Sequence, residues 1–297
     1  MTAVVALEAI TTATRRRRSW TLVVGLVLFG LVLATAIVSL FWLPYDPADT
    51  AGSRLEPPSL AHWAGTDRLG RDLATQLMIG ARIALAVGIG SVAIGAVIGI
   101  TLGLVAAFAG RVLDDGVSAF LDILIAFPTL LLAMLIVAAQ GASLWSAVLA
   151  IGLAMSAIIA RLTRILAKRI LALDYITASR TSGTGMWGII WQHLLPNVWP
   201  TILVNLALQF GLSVIAEASL SYLGLGAPPP NSSWGRMLKE AEGTVLTAPI
   251  GAIAPGIAIV ILVLGLNLIA DGLRDIGDPL RRVSARAVPA PTTEGPR

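Results

Sequence analysis

The sequence predicts an all-α fold, a polytopic membrane protein with six transmembrane helices and a helix–Gly–helix loop on the cytoplasmic side. Three observations carry that prediction. The 297 residues are 56% hydrophobic and only 13% charged, with a mean hydropathy of +0.84, whereas soluble domains carry about 25% charged residues. The charges gather between apolar runs of roughly 20 residues, the length that crosses a bilayer. These runs do not alternate as the roughly 10-residue strands of a spanning barrel do.

Residues 1–19 form a tail ending in Arg15-Arg16-Arg17-Arg18, and the run from Trp20 to Leu43 follows. A cleaved signal peptide is the rival reading, since Ala34-Thr35-Ala36 resembles a cleavage site, but the run continues past it to Phe41-Trp42. Residues 44–78 are polar and proline-rich. The second span is expected over Ile79–Ala109, where Gly95, Gly99 and Gly103 recur every four residues and permit close helix contact. Arg111, Asp114 and Asp115 mark a turn before a third span over Val117–Ala138.

Gly141-Ala142-Ser143 turns the chain into a fourth span, Leu144–Leu166, closed by Arg161, Arg164, Lys168 and Arg169. A fifth span is expected over Thr201–Leu220 and a sixth over Ile250–Ile269, with the polar segment 221–247 between them. Residues 20–273 form one membrane domain, and 274–297 a basic tail. Six spans put fifteen of the 21 Lys and Arg residues on the side of both termini and six on the other. That asymmetry orients both termini to the cytoplasm of a cell-membrane protein.

Between spans four and five lies DYITASRTSGTGMWGIIWQHLLPNVWP, Asp174–Pro200. Ile176–Ser182 reads as a short amphipathic helix, Gly183 and Gly185 as a bend, and Met186–Leu195 as a second helix stopped by Pro196. Pro196 also suits the start of the fifth span. A polar hairpin at a membrane face is a shape another protein can grip; a plain connecting loop is the other reading.

Several chemistries are excluded. There is no cysteine, and His62 and His193 lack ligand spacing, so no metal site is expected. The pI near 10.1 comes from arginines at the ends of apolar runs, which points away from nucleic acid and toward membrane lipid. The phosphate-cradling pattern G-x-x-x-x-G-K-[ST] is absent, since the only lysines are Lys168, followed by Arg, and Lys239, followed by Glu. No nucleophile–base set suggests an enzyme.

The hairpin resembles the EAA loop of ABC-importer permeases. Thr177, Ala178 and Ser179 occupy the triplet, Gly183 the glycine, and His193-Leu194-Leu195-Pro196-Asn197 the ending, with only the central alanine of the triplet kept. The stretches 65–72 with Gly80-Ala81-Arg82, 217–226 with Ser233-Trp234-Gly235, and Asn267-Leu268 with 271–275 and Asp278-Pro279 narrow the resemblance to dipeptide/oligopeptide/nickel permeases. The branch is the one that pairs with a second, different permease. The resemblance implies transport by alternating access, most simply of di- or oligopeptides. It also implies a heterodimer with a homologous permease, two ABC ATPases that use ATP and Mg, and an extracytoplasmic solute-binding protein. The loop residues Thr177, Ala178, Ser179, Arg180, Gly183, Leu195 and Pro196 would then dock the ATPase.

Asp122, Asn205, Gln209, Glu217 and Asn267 are candidates for a polar pathway, or else for local pairs and helix–helix hydrogen bonds. Residues 61–73 read as an amphipathic helix along the outer surface, with Trp42, Trp63 and Trp234 at the interface. The 221–247 segment, with Pro228-Pro229-Pro230, suits either a binding-protein contact or a connector. An ion-gradient-driven secondary transporter is the alternative function, although no inverted repeat is visible.

Overall fold

The computed structural model describes residues 20–50, 52–228 and 231–277. The Arg15–Arg18 run, Pro229-Pro230, Asp278-Pro279 and the tail arginines from Arg281 onward lie outside the described residues. In chain order the helices are α1 (Trp20–Phe41), α2 (Leu73–Phe108), α3 (Arg111–Ala126), α4 (Thr129–Gln140), α5 (Leu144–Leu171), α6 (Asp174–Thr181), α7 (Met186–Gly188), α8 (Leu195–Tyr222), α9 (Trp234–Ala241) and α10 (Ile250–Gly277). A π-helical turn, Ile189–Leu194, joins α7 to α8 without a break. Among the described residues, five helical stretches are long and apolar enough to cross a membrane, and α3 with α4 makes a sixth if that bent pair counts as one span.

The pair α2 and α5 forms the spine. Gly90 abuts Val148, Gly99 abuts Ser156 and Ile159, and Gly103 abuts Ala160 and Thr163. Both numbers rise together, so the helices run parallel, and the four-residue glycine repeat is what lets their backbones approach. Parallel neighbours require the chain to travel back between them, and α3 plus α4 makes that return. Leu121 of α3 packs with Ala157 and Ala160, while Val137 of α4 packs with Val148 and Ile151.

The continuous third span expected over 117–138 is therefore corrected: α3 and α4 meet at 90°. Phe127 precedes Pro128, and the proline ring drives it out of the helical region to φ −79°, ψ 133°. Arg111, Asp114 and Asp115 are not a turn but the first residues of α3. Spans two, four and five are longer than hydropathy suggests, and the start of span two is extended by a polar cap. Asp72 accepts the Thr75 N–H at 2.7 Å at the start of α2.

The expected helix over 61–73 is absent; the segment is a folded loop. Its acidic residues are used inward. Asp67 accepts hydrogen bonds from the backbone N–H of Leu69 and Arg71 (2.7 and 2.9 Å), from Arg71 Nε (2.8 Å) and from Gln76 Nε2 (2.9 Å). Gly65 and Gly70 turn the chain at φ +80° and +81°, where a side chain would be strained. Arg71 then reaches Glu240 of α9 at 3.0 Å, which fastens the 221–247 segment over the same end of the bundle. Trp42 and Trp63 are exposed, but Trp234 is not an interface residue. It is 3% exposed, lies against Gly80 and donates from Nε1 to the Leu77 carbonyl at 3.0 Å.

Candidate functional site

The 174–200 hairpin stands at the opposite end of the bundle from that loop layer. Asp174 opens α6, its negative charge placed at the helix N-terminus, and Arg180 sits in the last turn. Ile176, fully buried, pins α6 down, and Ile189, Ile190 and Leu194 do the same for the second limb. Across the hairpin, Ser179 Oγ meets His193 Nε2 at 3.1 Å, and the Tyr175 ring stands edge-on to the His193 ring, 5.8 Å between centroids.

Gly183 ends α6 in the left-handed region at φ +90°. Its N–H bonds the Arg180 carbonyl at 3.0 Å, and the Thr184 N–H bonds the Ser179 carbonyl at 3.1 Å. Two carbonyls that the helix end would leave orphaned are thus satisfied, which is the Schellman arrangement. The second limb does not stop at Pro196. The chain stays helical through Pro196 and Pro200 to Tyr222, which corrects the expected break. A proline ring crowds the carbonyl four residues earlier, and here the turn widens to π geometry just before Pro196, with the Leu195 N–H on the Ile190 carbonyl. Asn197 Nδ2 caps the His193 carbonyl at 2.6 Å.

Thr177, Ala178, Arg180 and Gly183 all face outward, Ser179 is half-buried against His193, and Pro196 is exposed on the other limb. Leu195 faces inward, packed with Ala167, Leu194 and Val198, and so does not share the outer face. Met186, Trp187 and Trp191 of the second limb are also exposed, at 49%, 68% and 66%, and are not among the residues singled out from the sequence. The crowding of tryptophans at 187, 191 and 199 was the available signal.

The polar candidates scatter. Asp122 is exposed and pairs with Arg161 at 3.3 Å. Glu217 is buried and accepts the Ser221 hydroxyl at 2.6 Å. Gln209 is buried, and its Oε1, like Oδ1 of Asn205, has no hydrogen-bond partner among the described residues. Asn267 is exposed on α10, facing Gly211 of α8. Sequence reading missed Asp114, which lies buried between Arg164 and Lys168, because two cations four residues apart on another helix leave no local pattern.

The family described as "Binding-protein-dependent transport system inner membrane component" matches residues 99–283. The glutathione transport system permease protein GsiD of Pectobacterium atrosepticum is 42% identical over 84% of this chain and 85% of its own length. The dipeptide transport system permease protein DppC of Alkalihalophilus pseudofirmus is 40% identical over 86% and 85%. Among solved structures, the inward-facing MetNI methionine ABC transporter superposes with a TM-score of 0.57 at 22% identity, over 68% of this chain and 96% of that one. That likeness concerns the fold. The chain belongs to the binding-protein-dependent transport system inner membrane components, a family of multi-pass membrane permeases.

Proposed function

We propose that this chain is the permease subunit of an ATP-driven importer of the peptide class, with the 174–200 hairpin as the contact for an ATPase subunit. The observation that carries the reading is the unbroken helical course from Met186 to Tyr222, 37 residues long. It joins the exposed hairpin face to a membrane-crossing helix as one lever of about 55 Å. Force applied at Ala178–Trp187 is thereby delivered to α8, which packs on both α2 and α10.

In this proposal the chain pairs with a second, homologous permease, and two ABC ATPases bind ATP and Mg below it. Hydrolysis happens in those subunits. A solute-binding protein delivers cargo at the far end, where the 42–72 loop and α9 form a cover. ATP binding draws the hairpins together, the two bundles rock, and the pathway exchanges one opening for the other. Relatives named for dipeptide and glutathione transport support a small peptide as cargo. The positive-charge asymmetry of the sequence supports cytoplasmic termini and a cytoplasmic hairpin.

Purified complex in proteoliposomes tests this reading. Uptake of dialanine from its loaded binding protein should require internal ATP and survive a protonophore. Uptake sustained by a proton gradient without ATP would return the secondary-transporter alternative.

A further inference from the structure

We infer that Arg82, on α2, is a recognition residue for the carboxylate of the translocated solute; this rests on the permease reading above. Helix α2 runs 36 residues, about 54 Å, against a hydrocarbon thickness of about 30 Å. Arg82 lies nine residues in from Leu73, on the turn after the layer closed by Trp234 over Gly80. It is half-buried. Its Nε is closed off from solvent without a hydrogen-bond partner, and among the described residues no carboxylate pairs with it. An arginine cannot shed its charge, and such a cation in a membrane helix faces a cavity or a counter-charge.

Its neighbours on the helix say which surroundings it faces. Arg82, Ala86, Ile89, Ala93, Val97 and Thr101 fall every third or fourth residue on one stripe, and from Ala86 onward the stripe is exposed, with none of the described residues covering it. The corresponding stripe of α1 carries Val24, Val27, Leu31, Ala34 and Val38, all but one of them large aliphatics that suit lipid tails. On α2 every second position is instead small or polar, as suits a water-bearing channel. A guanidinium at the mouth of that stripe, with no partner among the described residues, matches a planar carboxylate by two parallel hydrogen bonds.

The test uses the assembled transporter with its binding protein, and dialanine and dialanine amide as probes, the binding protein's affinity for each being measured separately. Arg82→Gln should lower dialanine uptake about tenfold, the loss of one charge-assisted contact, while amide uptake stays as in the unaltered complex and Arg82→Lys recovers part of the loss. Equal losses for both probes, no loss for either, or failure of the partner subunits to co-purify would overturn the assignment; the last would give Arg82 to a protein carboxylate. The chain holds no cysteine, so Arg82→Cys introduces a single thiol. A membrane-impermeant thiosulfonate should label it, more slowly during dialanine transport; no labelling would place the residue against lipid and overturn the inference. If the unaltered complex moves no dialanine at all, the peptide reading fails instead.

Discussion

Arg164 grips Asp114 with both arms of its guanidinium, Nε to Oδ1 at 2.6 Å and Nη2 to Oδ2 at 2.9 Å. Lys168 closes on the same carboxylate from one turn further along α5. The cluster ties α3 to α5 just before α5 hands the chain to the hairpin. Asp114 is only 8% exposed and Arg164 21%, so removing the carboxylate strands a largely buried guanidinium.

Asp114→Ala is therefore expected to destabilise the protein by about 3 kcal/mol, the usual cost of breaking a buried pair from one side. Asp122→Ala should cost under about 1 kcal/mol, because its pair with Arg161 is more than half exposed on both sides. Thermal unfolding of the detergent-purified complex compares the two. Equal midpoints would remove Asp114 from the fold's supports.

Glycine spacing gives a second contrast. A Cβ at Gly103 would meet the Ala160 carbonyl at 2.5 Å and Thr163 Cβ at 2.7 Å, whereas one at Gly116 meets nothing within 4 Å. Gly103→Leu should push α2 off α5 and cost about 3 kcal/mol. Gly116→Leu should be neutral or slightly stabilising, since leucine favours a helix by nearly 1 kcal/mol over glycine. Size-exclusion profiles and melting midpoints of the two variants report the difference.

These glycines also show what the sequence made legible. The 95–99–103 repeat announced a close helix pair, and hydropathy placed the apolar runs, because both signals are periodic within one helix. The hairpin's Gly183 bend was legible for the same local reason. What could not be read were pairings across helices: Asp114 with Arg164 and Lys168, Arg71 with Glu240, Tyr175 with His193. The 61–73 loop misled because alternating charge and apolar residues imitate an amphipathic helix, while the Asp67 carboxylate in fact gathers its own backbone. The Phe127-Pro128 break was visible as a proline, but hydropathy averages across it.

The outer loop carries a pH prediction. Glu56 is held below its ordinary value of 4.5 chiefly by hydrogen bonding to Ser53, whose N–H reaches Oε1 at 2.8 Å. A carboxyl depressed in the fold contributes stability that is present above its unfolded value and lost as pH falls through the folded one. Acidification below about 4.5 should thus loosen the 53–56 turn. Hydrogen–deuterium exchange there, corrected for intrinsic rates, should rise in acid for the unaltered protein and stay flat for Glu56→Gln. A rise of the same size in both would detach the effect from Glu56.

Gly183 offers the sharpest separation of folding from coupling. A Cβ there would touch nothing within 4 Å, so any harm from a larger residue comes from φ +90° and not from collision. A β-branched side chain at such an angle costs about 1–3 kcal/mol locally, too little to unfold a bundle of membrane helices but enough to melt the two hydrogen bonds that close α6. Gly183→Val should insert normally, yet lose transport and ATPase co-purification. Gly183→Asn should keep much of both, because asparagine tolerates left-handed backbone. Gly185→Ala, at φ −70° with open space around it, should behave as the unaltered chain. Full uptake by the valine variant would mean that the shape of this bend is not what the ATPase holds.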